Sequence, residues 1–211
     1  MSSGISPTVS VVTIDSDPPV EPMWRWSVDQ YHAMIGSGVL SEDDPVELLD
    51  GWLVMKMPKN PPLCSSTAGT HDALTSVLPA EWSIRSQEPI TLSTSEPEPD
   101  LVVARGDQHR YCERHPGPED IALVVEVAAA SLERDRNFKR RLYAHAGVPV
   151  YWIVNLAGSR LEVYSEPSRA EERLDYRHRR EFSASDEVPL IIEGREVGRL
   201  RVRDLLPLPR E

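Results

Sequence analysis

Ala73, Leu74, Val77 and Leu78 recur at helical spacing in the segment TAGTHDALTSVLP, which Pro79 ends. WSVDQYHAMIGSG predicts an earlier helix. There Ser27 and Gln30 form a capping box, and Gly36 and Gly38 stop the helix. A third helix is expected over about 132–146. Phe138, Leu142 and Ala146 would make its buried stripe, with Gly147 at its C-cap and Pro149 just beyond. Short apolar runs predict strands elsewhere. VELLDGWLVMKM reads as a hairpin around Asp50-Gly51. WSIRSQEPITL, PDLVVAR and IALVVEVA read as three strands, with a loop over 106–120. VPVYWIVNLAGSRLEVYS gives two strands joined at Ala157-Gly158, and the tail holds a hairpin around Glu193-Gly194. Tyr151 and Trp152 are expected in the core, and Trp24 and Trp26 are expected to dock the first helix. This order predicts a mixed sheet flanked by helices, in the α/β or α+β class.

The chain has 211 residues, enough for one domain with a well-buried core, expected over 23–208. Residues 1–22 are rich in Ser, Pro and Asp without any period and are expected to be a disordered arm. No apolar run approaches the roughly 20 residues that a membrane-spanning helix needs. The N-terminal stretch has no basic region and no sustained apolar core, so no secretory signal is expected. Cys64 and Cys112 are the only cysteines and form no CxxC pair. A reducing cytoplasm is therefore the simplest setting. A net charge of −11 counts against a uniformly basic surface and tight non-specific DNA binding, but allows a local basic groove.

The chain lacks a phosphate-binding GxxxxGK[ST] loop, a GxGxxG fingerprint, HExxH and GxSxG. What remains is a set of carboxylates on strands and one lysine. Glu126 lies among Leu123, Val124, Val125 and Val127, where an unpaired carboxylate would cost several kcal/mol. Asp100 opens the preceding strand, directly after Pro99. If the two strands are neighbours, their carboxylates can converge at one edge of the sheet. Two carboxylates with water suit Mg²⁺, a hard cation that prefers oxygen ligands. Lys139 is the only lysine on the third helix. It sits one turn after Asp135, so the two could also be a solvated surface pair. The Arg-rich face of that helix is either a solvated surface or a phosphate contact through Arg136 and Arg140.

Taken together, PEPDLVVAR and LVVEVAAASLERDRNFKRRLYAHAGVPVYWIVN resemble the PD-(D/E)xK nuclease superfamily. More narrowly, they resemble its Uma-type (Uma-two) family of restriction-endonuclease-like proteins. VELLDGWLVMKMP, His71, Pro99-Asp100, Glu126-Val127, Asp135 with Lys139 and Tyr143, and GVPVYWIVN carry the resemblance, which covers roughly residues 24–206. It implies a restriction-endonuclease-like core and Mg²⁺-dependent hydrolysis of phosphodiesters by a metal-activated water, with Mn²⁺ as a substitute. Asp100 and Glu126 would be metal ligands, joined by Glu47. The superfamily's usual lysine position, two after the Glu, is Ala128 here, so Lys139 takes its role. His71 and Asp135 would be accessory residues. The family's Leu-Ser-Pro-like turn is replaced by AAASL, in which Ser131 could stand for the serine. The expected partner is DNA, with RNA as the alternative. A homodimer is expected, because two sites related by a two-fold axis cut both strands of a duplex most simply. The rival expectation, motivated by the altered turn and the acidic charge, is a catalytically inactive nuclease-fold protein that binds nucleic acid or a protein partner.

Overall fold

Residues 22–41, 43–168 and 175–207 are described in the computed structural model. The arm expected over 1–22 lies outside them except for Pro22. Helix α1 (Val28–Gly36) carries both halves of the Ser27/Gln30 capping box. Strands β1 (Val46–Leu49) and β2 (Trp52–Met55) pair as the expected hairpin. Helix α2 (Pro61–Thr75) begins well before the apolar period that predicted it. The Asn60 side chain accepts from the Leu63 backbone N–H, and Pro61 and Pro62 fit the first turn, so the cap starts the helix and not an apolar stripe.

Six strands then form the central sheet, in the spatial order β3 (Trp82–Ser86), β4 (Leu101–Arg105), β5 (Ile121–Ala128), β6 (Val150–Asn155), β7 (Arg160–Pro167) and β8 (Tyr176–Ser183). Only β5 and β6 pair in parallel. A parallel pair needs a long crossover. The helical run 132–146 supplies it, as α3 (Leu132–Arg134), a π-helical turn (Asp135–Lys139) and α4 (Arg140–Ala146). Gly147 closes the run with φ of 82°, the left-handed value its missing Cβ permits. Among the described residues, no helix is long and apolar enough to cross a membrane.

All eight residues of β5 are buried, and alternation divides them between two cores. Leu123, Val125 and Val127 face Leu101, Val103, Trp152 and Val154. Leu74 of α2, the hairpin β9 (Glu187–Ile192)–β10 (Arg195–Arg201) and α5 (Val202–Leu205) cover that face. Val124 and Ala128 face the other way, with Val102, Tyr143, Tyr151 and Ile153. The close packing of α2 on α5 explains the small residues of α2. Ser66 Oγ donates to the Leu205 carbonyl at 2.5 Å, and a Cβ at Gly69 would stand 2.6 Å from the Asp204 carbonyl oxygen.

Two expectations are corrected, and one strand is new. Phe138 is 39% exposed, and the residues that the 132–146 run buries are Asp135, Lys139, Tyr143 and Ala144. The sheet presents a carboxylate to this helix, so a polar stripe faces inward there. Trp24 is 69% exposed, and Tyr31 is the buried residue of α1. Strand β8 escaped prediction because its sequence, YRHRREFS, is mostly polar and exposed, as suits a sheet edge.

The 132–146 run is clamped to the sheet by Glu162 of β7, which is fully buried. Its carboxylate accepts from Arg136, Arg179, Asn155 and Tyr164. Burial opposes its ionisation, but the Arg136, Asn155 and Tyr164 hydrogen bonds outweigh burial and hold its pKa at about 2. A depressed carboxylate pKa stabilises the fold above the unfolded value of 4.5 and loses that contribution as pH falls toward 2. Glu162→Gln is therefore expected to cost on the order of 2 kcal/mol in urea unfolding at pH 7. The difference from wild type should shrink as the pH is lowered from 4.5 toward 2.

Candidate active site

The antiparallel register of β4 and β5 pairs Leu101 with Val125 and Val102 with Val124. One step further, Asp100 stands opposite Glu126. Alternation puts both on the sheet face that the 132–146 run covers. The two carboxylates therefore converge because of strand register. Asp100 Oδ2 accepts from the Val127 N–H at 2.8 Å, and its Oδ1 lies 3.7 Å from Lys59 Nζ. Glu126 is 5% exposed. Its Oε1 accepts from Lys139 Nζ at 2.9 Å and from the Tyr143 hydroxyl at 2.8 Å.

Glu47 enters from β1, equally buried. Its Oε2 accepts from the Glu98 N–H at 3.2 Å, and its Oε1 lies 3.6 Å from Lys139 Nζ. The Lys139 ammonium is thus shared by carboxylates from two sheets. Asp135, one turn before Lys139, is also buried. Ser131 hydrogen-bonds its carboxylate, yet its Oδ1 has no hydrogen-bond partner. Glu47, Asp100, Glu126 and Lys139 border a cleft of about 90 Å³, whose wall also includes Lys56, Lys59, Glu98 and Arg134.

Burial sets the electrostatics. It pushes the Glu126 carboxyl up to about 8. Lys139 opposes this, and Asp135, Asp100 and Glu47 reinforce it. Burial also raises Asp135 and lifts Tyr143 far above a free phenol, so Tyr143 remains a neutral donor. Lys139 goes the other way: burial alone would discharge it, but Glu126, Glu47 and Asp135 overcome that and hold it protonated. Glu126, Glu47 and Asp135 thus act on one buried lysine, and Asp100 acts on Glu126. The carboxylates of Glu47, Asp100 and Glu126 face the cleft beside Lys139.

A hard divalent cation fits such donors. Mg²⁺ is held through one or two carboxylates plus retained waters and needs no protein cage. Asp100 and Glu126 supply that number. Among the described residues, no group of three or more His, Cys, Asp or Glu side chains is placed to hold a metal ion.

Other residues named from the sequence lie elsewhere. His71 is on α2, half-exposed, with Nδ1 3.5 Å from Asp72, and does not line the cleft. Arg136 is committed to Glu162, and Arg140 pairs with Asp175 at 3.0 Å while lying over the Tyr164 ring. Arg134 borders the cleft instead. Lys56 and Lys59 were not anticipated. Their only sequence signal is position: KMPKN joins the β1–β2 hairpin to the α2 cap, and that connection passes the cleft mouth.

No curated protein is significantly similar to the chain. Among solved structures, the chain resembles the crystal structure of "a putative nuclease belonging to DUF820 from Anabaena variabilis ATCC 29413". The TM-score is 0.60 over 85% of this chain and 96% of that one, at 16% identity, a likeness of fold. The sequence profile of a family described as "Uma2: Putative restriction endonuclease" matches residues 28–198. That match spans most of the chain, and the chain belongs to the Uma2 family.

Proposed function

We propose that the cleft hydrolyses phosphodiester bonds of DNA with the help of Mg²⁺, or of Mn²⁺ in its place. The observation that carries this reading is the buried Lys139 ammonium between Glu126 and Glu47, with Asp100 across the strand pair from Glu126. Family and fold support a nuclease. The metal requirement and the substrate rest on the chemistry of the site.

Asp100 and Glu126 would hold the cation, with Glu47 beside them. When bound, Mg²⁺ lowers the pKa of a water and offsets charge on the phosphodiester. The chain's own residues do the rest. Val127 N–H and Tyr143 O–H fix the two carboxylates in place. Lys139, held protonated, is a hydrogen-bond donor and a fixed positive charge, so it orients water or steadies the phosphate and does not act as a base. Lys56, Lys59 and Arg134 also stand on the cleft wall, where Lys56 pairs with Glu98 at 2.8 Å, and could meet the strand's phosphates. Two copies acting together on a duplex remain part of this reading.

One observation favours a second reading, a non-catalytic nuclease-fold protein that binds nucleic acid. Lys139 already spans Glu126 and Glu47, and among the described residues no group of three or more His, Cys, Asp or Glu could hold a metal ion.

Nicking of supercoiled plasmid by the purified chain separates the two. The catalytic reading expects nicking with Mg²⁺ or Mn²⁺, none in EDTA, and a loss of at least about 100-fold in Glu126→Ala and Asp100→Ala. Absence of nicking by the wild type in either metal selects the second reading.

A stability measurement follows from the same carboxylate. A carboxyl whose folded pKa is raised costs stability as pH rises from its unfolded value, 4.5, through about 8, because ionising it in the folded state is unfavourable. Metal-free Glu126→Gln should therefore gain in melting temperature on wild type as the pH rises from about 4.5 to about 8, with little further change above that. A mutant that instead loses ground on wild type over that range would show that the Glu126 charge stabilises the fold.

A further inference from the structure

A second cavity, of about 520 Å³, lies between the 132–146 run and the connection after Leu92. Its floor is one helix face: Phe138, Leu142 and Ala146 at successive turns, flanked by Arg141 and His145. Phe138 is 39% exposed, unusual for a phenylalanine on a helix that packs against a sheet. The basic residues of this run sort into two groups. Arg134, Arg136, Lys139 and Arg140 each lie within ion-pair range of a carboxylate. Among the described residues, Arg141 and His145 have no such partner, and both open into this cavity. The one acid lining it, Asp50, is already paired with Arg25. Phe138 directly precedes Lys139, and at 1.5 Å per residue the floor extends roughly 10 Å along the helix from the cleft.

We infer that this cavity takes an unstacked base of the substrate strand, with Phe138 as the stacking surface and Arg141 and His145 on the adjoining phosphates. An aromatic ring flanked by unpaired cations is the arrangement that single-stranded nucleic acid uses, because every base offers a π-face and every nucleotide a negative charge. A duplex keeps its bases stacked inside and has none to offer. The inference therefore makes strands with single-stranded character the preferred substrate, and puts phosphate contact on Arg141 in place of Arg136 and Arg140. It rests on the nuclease reading for the identity of the strand, but its test needs no catalysis.

The test is fluorescence anisotropy of the full chain in EDTA with a labelled oligothymidylate and with a duplex of equal length. Wild type, Phe138→Ala, Phe138→Trp and Arg141→Ala would be compared, with melting curves alongside. Phe138→Ala should melt as the wild type does and bind the single strand at least about fivefold more weakly. Its duplex affinity should change by less than about twofold, Phe138→Trp should restore binding, and Arg141→Ala should weaken it. Equal loss on duplex, unchanged single-strand binding, or failure of the wild type to bind oligothymidylate would overturn the inference. So would a concentration-dependent dimer abolished by Phe138→Ala, which would assign the cavity to a second copy of the chain. If binding behaves as expected while plasmid nicking fails, the nuclease reading falls and this site stands. If nicking succeeds and Phe138→Ala binds as wild type, only this site falls.

Discussion

The buried ion pair between Lys139 and Glu126 decides how the crossover helix sits. A carboxylate on the most buried strand of the sheet has to be answered by a cation or a proton. The chain answers with a lysine thirteen residues downstream, on the helix that returns to the parallel neighbour strand. Once Lys139 points inward, Asp135 and Tyr143 point inward with it, one turn on either side. Phe138 and Arg141 must then point outward. The π-helical turn over Asp135–Lys139 lies at this stripe, and such turns recur where function outweighs regular helix geometry.

Lys139 faces Glu126, Glu47 and Asp135 in the buried interior, and Asp100 stands beside Glu126. Lys59 and Arg134 reach Asp100 and Asp135 only at 3.7 and 3.9 Å. Burial holds the Glu126 carboxyl up at about 8, and Asp135 Oδ1 has no hydrogen-bond partner. Glu162 shows that the fold can satisfy a buried carboxylate fully when nothing else is asked of it. It has two arginines, an amide and a hydroxyl, and its pKa falls to about 2. The two buried glutamates on one sheet thus differ: hydrogen bonds hold Glu162 ionised, while burial holds the Glu126 carboxyl up at about 8.

Much of this was legible in the sequence. The hairpin at Asp50-Gly51, the strand pair around Ala157-Gly158 and the capping box at Ser27 were all read from local turn and cap chemistry, which acts over a few residues. Glu126 stood out because it breaks an apolar run; Asp100 opens a strand and Lys139 is the one lysine of its helix, and the family resemblance gave them roles. The structure brings all three to one cleft. What escaped depends on tertiary context. Phe138 and Leu142 fit an apolar stripe, yet the polar stripe is the buried one, because the partner surface carries a charge that period alone does not reveal. The charged strand β8 looks like a loop until a sheet edge is there to receive it. Arg136 and Arg140 resemble phosphate ligands until Glu162 and Asp175, distant in sequence, claim them. Lys56 and Lys59 carried no signal beyond their place in a connection.

The central claim is that the carboxylates around Lys139 leave room and charge for one divalent cation. Calorimetric titration of Mg²⁺ into the metal-free chain at pH 8, beside Asp100→Ala, tests it most directly. The account predicts binding of one Mg²⁺ per chain that disappears in Asp100→Ala, while that variant keeps its fold. No binding by the wild type, or undiminished binding in Asp100→Ala, would contradict it.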